Sequence, residues 1–131
     1  MSGTKALLDS NVIIYASQGV IDAEKLLSAS EGYFVSIITL IEVYGFDFAD
    51  ARERALIDEI INSLEIVELD RAIADQAIKY RKVPTKKIKL PDAVILATAT
   101  ILGADLFTAN IRDFQKIDDA VNVIDIGEFK L

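Results

Sequence analysis

The sequence predicts an α/β fold: a mainly parallel sheet covered by helices on both faces. Three observations carry this. Short apolar runs such as KALL, YFVS and DLFT alternate with amphipathic segments of ten or more residues, the pattern of βαβ units. The short runs lack strict polar alternation, as strands buried on both faces do. The 131 residues suit one domain, and 52% of them are hydrophobic, ample for a core. No internal repeat, low-complexity segment or linker divides residues 1–131.

KALLD (5–9) reads as a strand ending in an acid. In SNVIIYAS, the stretch NVIIYA fits strand or helix by pattern alone. Asp22 has the character of a helix N-cap for AEKLLSAS. YFVS (33–36) is a short buried strand, and Ser36 or Thr39 caps a helix carrying IITLIEVYGF. DFADARERALIDEIINSL (47–64) has helical periodicity, with Ala51, Ala55, Ile57, Ile60, Ile61 and Leu64 on its apolar positions. EIVEL (65–69) is a strand, and Asp70 opens the helix RAIADQAIKYRK. Pro91 starts a helix running to about Leu102, and Gly103 ends it as a C′ glycine does. DLFTA (105–109) is a strand, NIRDF a turn or short helix, and VNVIDI (121–126) a last strand.

Composition narrows the chemistry. The chain has no Cys and no His. Thiolate and imidazole nucleophile systems, disulfides and His-ligated zinc are therefore excluded. Against 14 Lys and Arg stand 21 Asp and Glu, and hard oxygen donors of this kind select Mg²⁺ or Mn²⁺. The net charge of −7 opposes nonspecific nucleic-acid binding by the surface as a whole. Locally, KYRKVPTKKIK (79–89) holds six Lys or Arg and no acid. No apolar run reaches membrane-spanning length, and MSGTKALLDSNVII lacks a signal-peptide plan. The expectation is a cytoplasmic protein with no membrane association.

Four acids stand out by position. In an open parallel sheet, sites form beyond the carboxyl ends of the strands. Asp9 follows the first strand directly; capping alone also accounts for it. Glu42 has Ile38, Thr39, Gly45 and Phe46 as its helical neighbours, and no Lys or Arg lies between Glu31 and Arg52. Partial burial without a local ion pair is therefore expected there. Asp92 lies in the first turn of its helix, where the dipole favours an acid. Six of the seven residues after it are apolar, so that helix should be central. Asp113 and Asn110 lie in TANIRDF, beyond the DLFTA strand. Converging carboxylates repel one another strongly unless a cation joins them.

Four short motifs in order, DSNVII, IITLIEVYGF, LPDAVILATA and TANIRDF, resemble those of the PIN-domain ribonucleases, with the VapC-type toxins of prokaryotic toxin–antitoxin pairs as the closest kin. The resemblance covers nearly the whole chain. It implies a PIN-like three-layer α/β/α sandwich with a central, mainly parallel sheet, and a Mg²⁺- or Mn²⁺-dependent endoribonuclease. It further implies Asp9, Glu42 and Asp92 as metal-holding catalytic acids, with Asp113 or Asn110 as the fourth ligand. Ser10, Asn11 and Thr108 would support them, and a small antitoxin and homodimerisation are expected. One departure stands out: the last motif reads Thr-Ala-Asn where the toxins often carry Thr-Arg-Asn, so Ala109 removes a cation. The basic residues Arg81, Lys82, Lys86, Lys87 and Lys89 would steer RNA. Two other readings compete: a receiver-like phosphoacceptor domain with Asp70 as acceptor, and a catalytically silent PIN-like binding subunit.

Overall fold

A computed structural model describes residues 4–131; residues 1–3 of the amino-terminal stretch read above lie outside the described residues. Five strands form one sheet in the order β3-β2-β1-β4-β5, and all four pairings are parallel. The strands are β1 (Lys5–Leu8), β2 (Gly32–Ser36), β3 (Glu65–Val67), β4 (Asp105–Thr108) and β5 (Val123–Asp125). Their side chains alternate between two cores. Leu7 and Leu106 join a cluster with α5 (Arg71–Arg81) and α6 (Leu90–Leu102) on one face. Ala6, Leu8, Val35 and Phe107 join residues of α1 (Ser10–Ser17), α2 (Ala23–Leu27) and α4 (Ala51–Asn62) on the other. These are the three expected layers.

The ambiguous NVIIYA segment is helical. Asp9 is extended and accepts from the Ser10 N–H, which turns the chain directly from β1 into α1. A strand there would have put Val12 and Ile13 on opposite faces, whereas both are buried in one core. Ser36 caps α3 (Ile37–Tyr44), accepting from the Ile38 N–H at 3.2 Å, so Thr39 lies inside the helix. Several elements are shorter than their patterns. The helix in 47–64 begins only after Asp50, whose side chain caps it, and Ala51 and Ala55 are exposed while Ile57 and Ile61 are buried. β3 and β5 pair over three residues each, at the two sheet edges. Asp125 then caps a 3-10 turn, Ile126–Phe129.

The helix after Pro91 is as central as its sequence demands. Seven consecutive residues of α6, Ala93 to Ala99, are buried, as a helix so largely apolar requires. Gly103 ends it with φ 67°, the left-handed conformation that glycine adopts without a Cβ penalty. Among the described residues no helix is long and apolar enough to cross a membrane.

This topology fixes the site. Strand order reverses at β1, which neighbours both β2 and β4, so the β1/β4 crevice is the switch point of the sheet. A helix that returns the chain to the start of the next parallel strand runs against the strands. The start of α6 therefore lies at the same edge as the end of β1. It also follows that Asp70, beyond edge strand β3, is far from the switch point; its carboxylate caps α5 through the Ile73 N–H at 2.9 Å. The observed order differs from the receiver arrangement 2-1-3-4-5, which removes the phosphoacceptor reading.

Candidate active site

Asp9 is the anchor. Its backbone N–H donates to Phe107 O at 3.0 Å, and the register Leu8↔Phe107 sets residues 9 and 108 side by side. Its side chain is buried, at 5% exposure. Burial of a carboxylate is tolerable where donors surround it, and three do. Ser10 N–H donates to Oδ1 at 2.8 Å; Asn11 Nδ2 donates to Oδ2 at 3.2 Å and Thr108 Oγ1 donates to Oδ2 at 2.8 Å. Asn11 Oδ1 also accepts from Ala109 N–H at 2.9 Å, and Thr108 Oγ1 accepts from Asn110 N–H at 3.0 Å. The two short loops after β1 and β4 are thus stitched together around one carboxylate. Loss of solvent raises the Asp9 pKa, and the hydrogen bonds oppose that rise, led by Thr108.

Thr108→Val removes the donor to Asp9 and leaves the Asn110 N–H without its acceptor. The expected loss is on the order of 1–3 kcal/mol of unfolding free energy in urea, and an unchanged midpoint would show that this bridge contributes no stability.

Around Asp9 stand three further acids, each on a different element. Asp92 is half-buried in the first turn of α6. Its pKa is raised to about 6 by loss of solvent first, then by the charges of Asp9 and Asp113, with Lys89 opposing. The α6 dipole, expected to favour the ionised acid, is outweighed here. Lys89 holds the cap position of α6 without a side-chain hydrogen bond, and Asp92 lies three residues in, so capping does not account for it. Glu42, on α3, is exposed, which corrects the expectation of a partly buried residue. α3 turns Thr39 and Val43 into the core and leaves Glu42 exposed together with Ile41 and Phe46. The Glu42 carboxyl still loses hydration, and together with the charges of Asp9 and Asp92 this raises its pKa. Asp113 is exposed on α7 (Ile111–Phe114) and acts on both Asp9 and Asp92. Asn110 is exposed beside it.

The four sequence-predicted acids are thus brought within electrostatic reach of one another. Among the described residues, however, no three stand close enough as placed to enclose a single cation. The donor set suits Mg²⁺ or Mn²⁺ in kind, being hard oxygens in an uncompensated negative field. Asp9, the rigid member, keeps Oδ1 with a single donor and so with a lone pair free.

The basic stretch divides in two. Arg81 donates to Ile88 O at 2.7 Å, which folds the 82–89 loop. Lys86 donates to the carbonyls of Arg112 and Gln115, the latter at 2.7 Å, and so fastens α7 at its carboxyl end. Lys82, Lys87 and Lys89 are exposed. Asp125 is an acid the motifs did not single out. It ends β5 at the same sheet edge and lines an open cavity of about 370 Å³ with Asn110, Arg112 and Asp113. The rule that picks out Asp9, an acid at a strand's end, also finds it.

Comparison with known proteins agrees with this architecture. A family profile described as PIN domain matches residues 6–120. A toxin–antitoxin complex from Klebsiella pneumoniae shares 31% identity at a TM-score of 0.70, covering 88% of this chain and 94% of that one. VapBC-1 from nontypeable Haemophilus influenzae shares 25% identity at a TM-score of 0.74, covering 95% and 99%. DNA-bound VapBC from Salmonella typhimurium has a TM-score of 0.80 at 24% identity, covering 94% and 98%. No curated protein matches the chain.

Proposed function

The chain belongs to the PIN-domain family, and from that membership we propose that residues 1–131 form one catalytic domain: a Mg²⁺- or Mn²⁺-dependent endoribonuclease, the toxin of a toxin–antitoxin pair. The observation that carries the chemistry is the gathering of Asp9, Glu42, Asp92 and Asp113 at the switch point, where lost solvent first and neighbouring acid charge second raise the pKa of the first three. Likeness to the Klebsiella toxin–antitoxin complex supports the pairing with an antitoxin.

In this reading Asp9, Glu42 and Asp92 hold the cation. Asp113 is the fourth acid in preference to Asn110, because its charge already acts on Asp9 and Asp92. When bound, such a cation lowers the pKa of the attacking water and stabilises charge on the phosphoryl oxygens. The residues of the chain do the rest. Ser10, Asn11 and Thr108 fix the Asp9 carboxylate in one orientation, as partners behind a ligand do. Lys86 fixes the helix that carries Asp113. Lys82, Lys87 and Lys89 draw the RNA backbone toward an otherwise repulsive pocket.

Incubation of labelled RNA with the protein and Mn²⁺ should give discrete cleavage that a chelator abolishes. Cleavage indifferent to the chelator would overturn the metal role, and cation binding without cleavage would favour the silent binding subunit.

The basic face has its own test. Replacing Lys82, Lys87 and Lys89 together by Gln should lower the slope of log affinity against log salt by about 2, at roughly 0.7 per single-strand phosphate contact. Lys86→Met should leave that slope unchanged while weakening the fold. An unaltered slope in the triple variant would move the RNA path elsewhere.

Homodimerisation finds support in an apolar groove between α5 and the start of α6, where Leu69, Ile78 and Leu90 are 46%, 50% and 59% exposed. Exposed apolar patches of this kind mark contact surfaces. Leu90→Glu should shift the sedimentation of the protein from dimer to monomer.

A further inference from the structure

Of the two residues able to cap α3, Ser36 does so, and Thr39 is left with no such task. Thr39 is fully buried, and its Oγ1 is the one buried side-chain polar atom without a hydrogen-bond partner among the described residues. Other helical threonines of this chain donate to the carbonyl four residues back: Thr98 to Val94 O at 2.7 Å and Thr100 to Leu96 O at 3.1 Å. Four residues before Thr39 stands Val35, which is in β2 and not in the helix. An unsatisfied buried group in a native fold calls for a physical reason, a catalytic role or an absent ion among them.

Position supplies that reason. Thr39 and Glu42 are three apart on one helix, so they share a face. Helical side chains lean toward the amino terminus, and Glu42 therefore covers the turn that holds Thr39. Glu42 is exposed, its carboxyl feels both Asp9 and Asp92, and among the described residues no three acids stand close enough as placed to enclose one cation. We propose that Thr39 is a positioning residue whose hydroxyl donates to the Glu42 carboxylate in the cation-loaded site, holding it toward Asp9 and Asp92. The orphan donor of the cation-free fold is then satisfied only on loading. This rests on the metal-site reading given above.

The test is Mn²⁺ titration by calorimetry with thermal melting, on wild type, Thr39→Val, Thr39→Ser and Asp92→Asn. Without Mn²⁺, Thr39→Val should melt at or above the wild-type temperature, since an isosteric side chain removes the orphan donor. Its Kd for Mn²⁺ should rise about tenfold, the lower range for losing a partner behind a ligand, and its Mn²⁺-induced melting shift should shrink. Thr39→Ser should restore both. Should Thr39→Val not fold, Thr39→Ala is read by its Kd and its Mn²⁺-induced melting shift alone, since a smaller side chain at a buried site lowers stability by itself. Wild-type affinity in the Val or Ala variant, or weakened binding that Ser does not restore, overturns the proposal. If wild type itself does not bind Mn²⁺, the site reading falls and this inference with it. If Asp92→Asn loses binding and Thr39→Val does not, only the role of Thr39 falls.

Discussion

Asp92→Asn is expected to cut Mn²⁺-dependent RNA cleavage by on the order of a thousandfold while making the cation-free protein harder to unfold at neutral pH. Opposite signs in two assays distinguish a ligand from a structural acid. A unit charge ~4 Å from a ligand carboxylate, at an effective dielectric of ~20, interacts with it by about 4 kcal/mol. Felt in the transition state, that corresponds to roughly three decades in rate. Asn keeps the shape but not the charge. The stability effect follows from the raised pKa. Asp92 moves from 3.8 to about 6 on folding, so between those values the folded chain holds a proton that the unfolded chain releases. Stability therefore falls as pH climbs through this window, by at most about 3 kcal/mol. Partial exposure and solvent screening reduce the figure. The Asn variant has no such loss. Its urea midpoint should exceed that of wild type at pH 7, with the gap closing by about pH 4. A lower midpoint for the Asn variant at pH 7 would return Asp92 to a purely structural role.

Addition of Mn²⁺ at about 100 times its Kd should raise the melting temperature of wild type by on the order of 10 °C. Selective binding to the folded state contributes about 2.7 kcal/mol at that ratio, and a domain of this size gains a few degrees per kcal/mol. Asp92→Asn should show little of this shift. Identical shifts in the two proteins would place the cation somewhere other than the acid cluster.

Much of this was legible in the chain. Asp9, Asp92 and Asp113 follow from one rule, that a parallel sheet gathers strand ends and returning-helix starts at one edge. The largely apolar stretch after Asp92 announced a central helix, and α6 is one. What local pattern left open depended on distant neighbours. NVIIYA became a helix because β1 stops at a capping acid and both its apolar residues find the same core. Glu42 looked enclosed because its helix is apolar, yet α3 buries only Thr39 and Val43 and turns Glu42 outward. Arg81 and Lys86 read as free cations, but each is bound to a carbonyl, and for Lys86 those carbonyls lie 26 and 29 residues away. No spacing rule within a basic stretch predicts such a partner.

The grip of Asn11 on position 109 leaves the side chain there free to vary. It uses the main-chain N–H, which every residue except proline possesses. Ala109 lines the cavity shared with Asn110, Asp113 and Asp125. Substitution there can therefore alter the lining of the cavity while the loop that orients Asp9 stays intact. Position 109 is therefore a place where the wall of this cavity can be redesigned without disturbing the scaffold that holds Asp9.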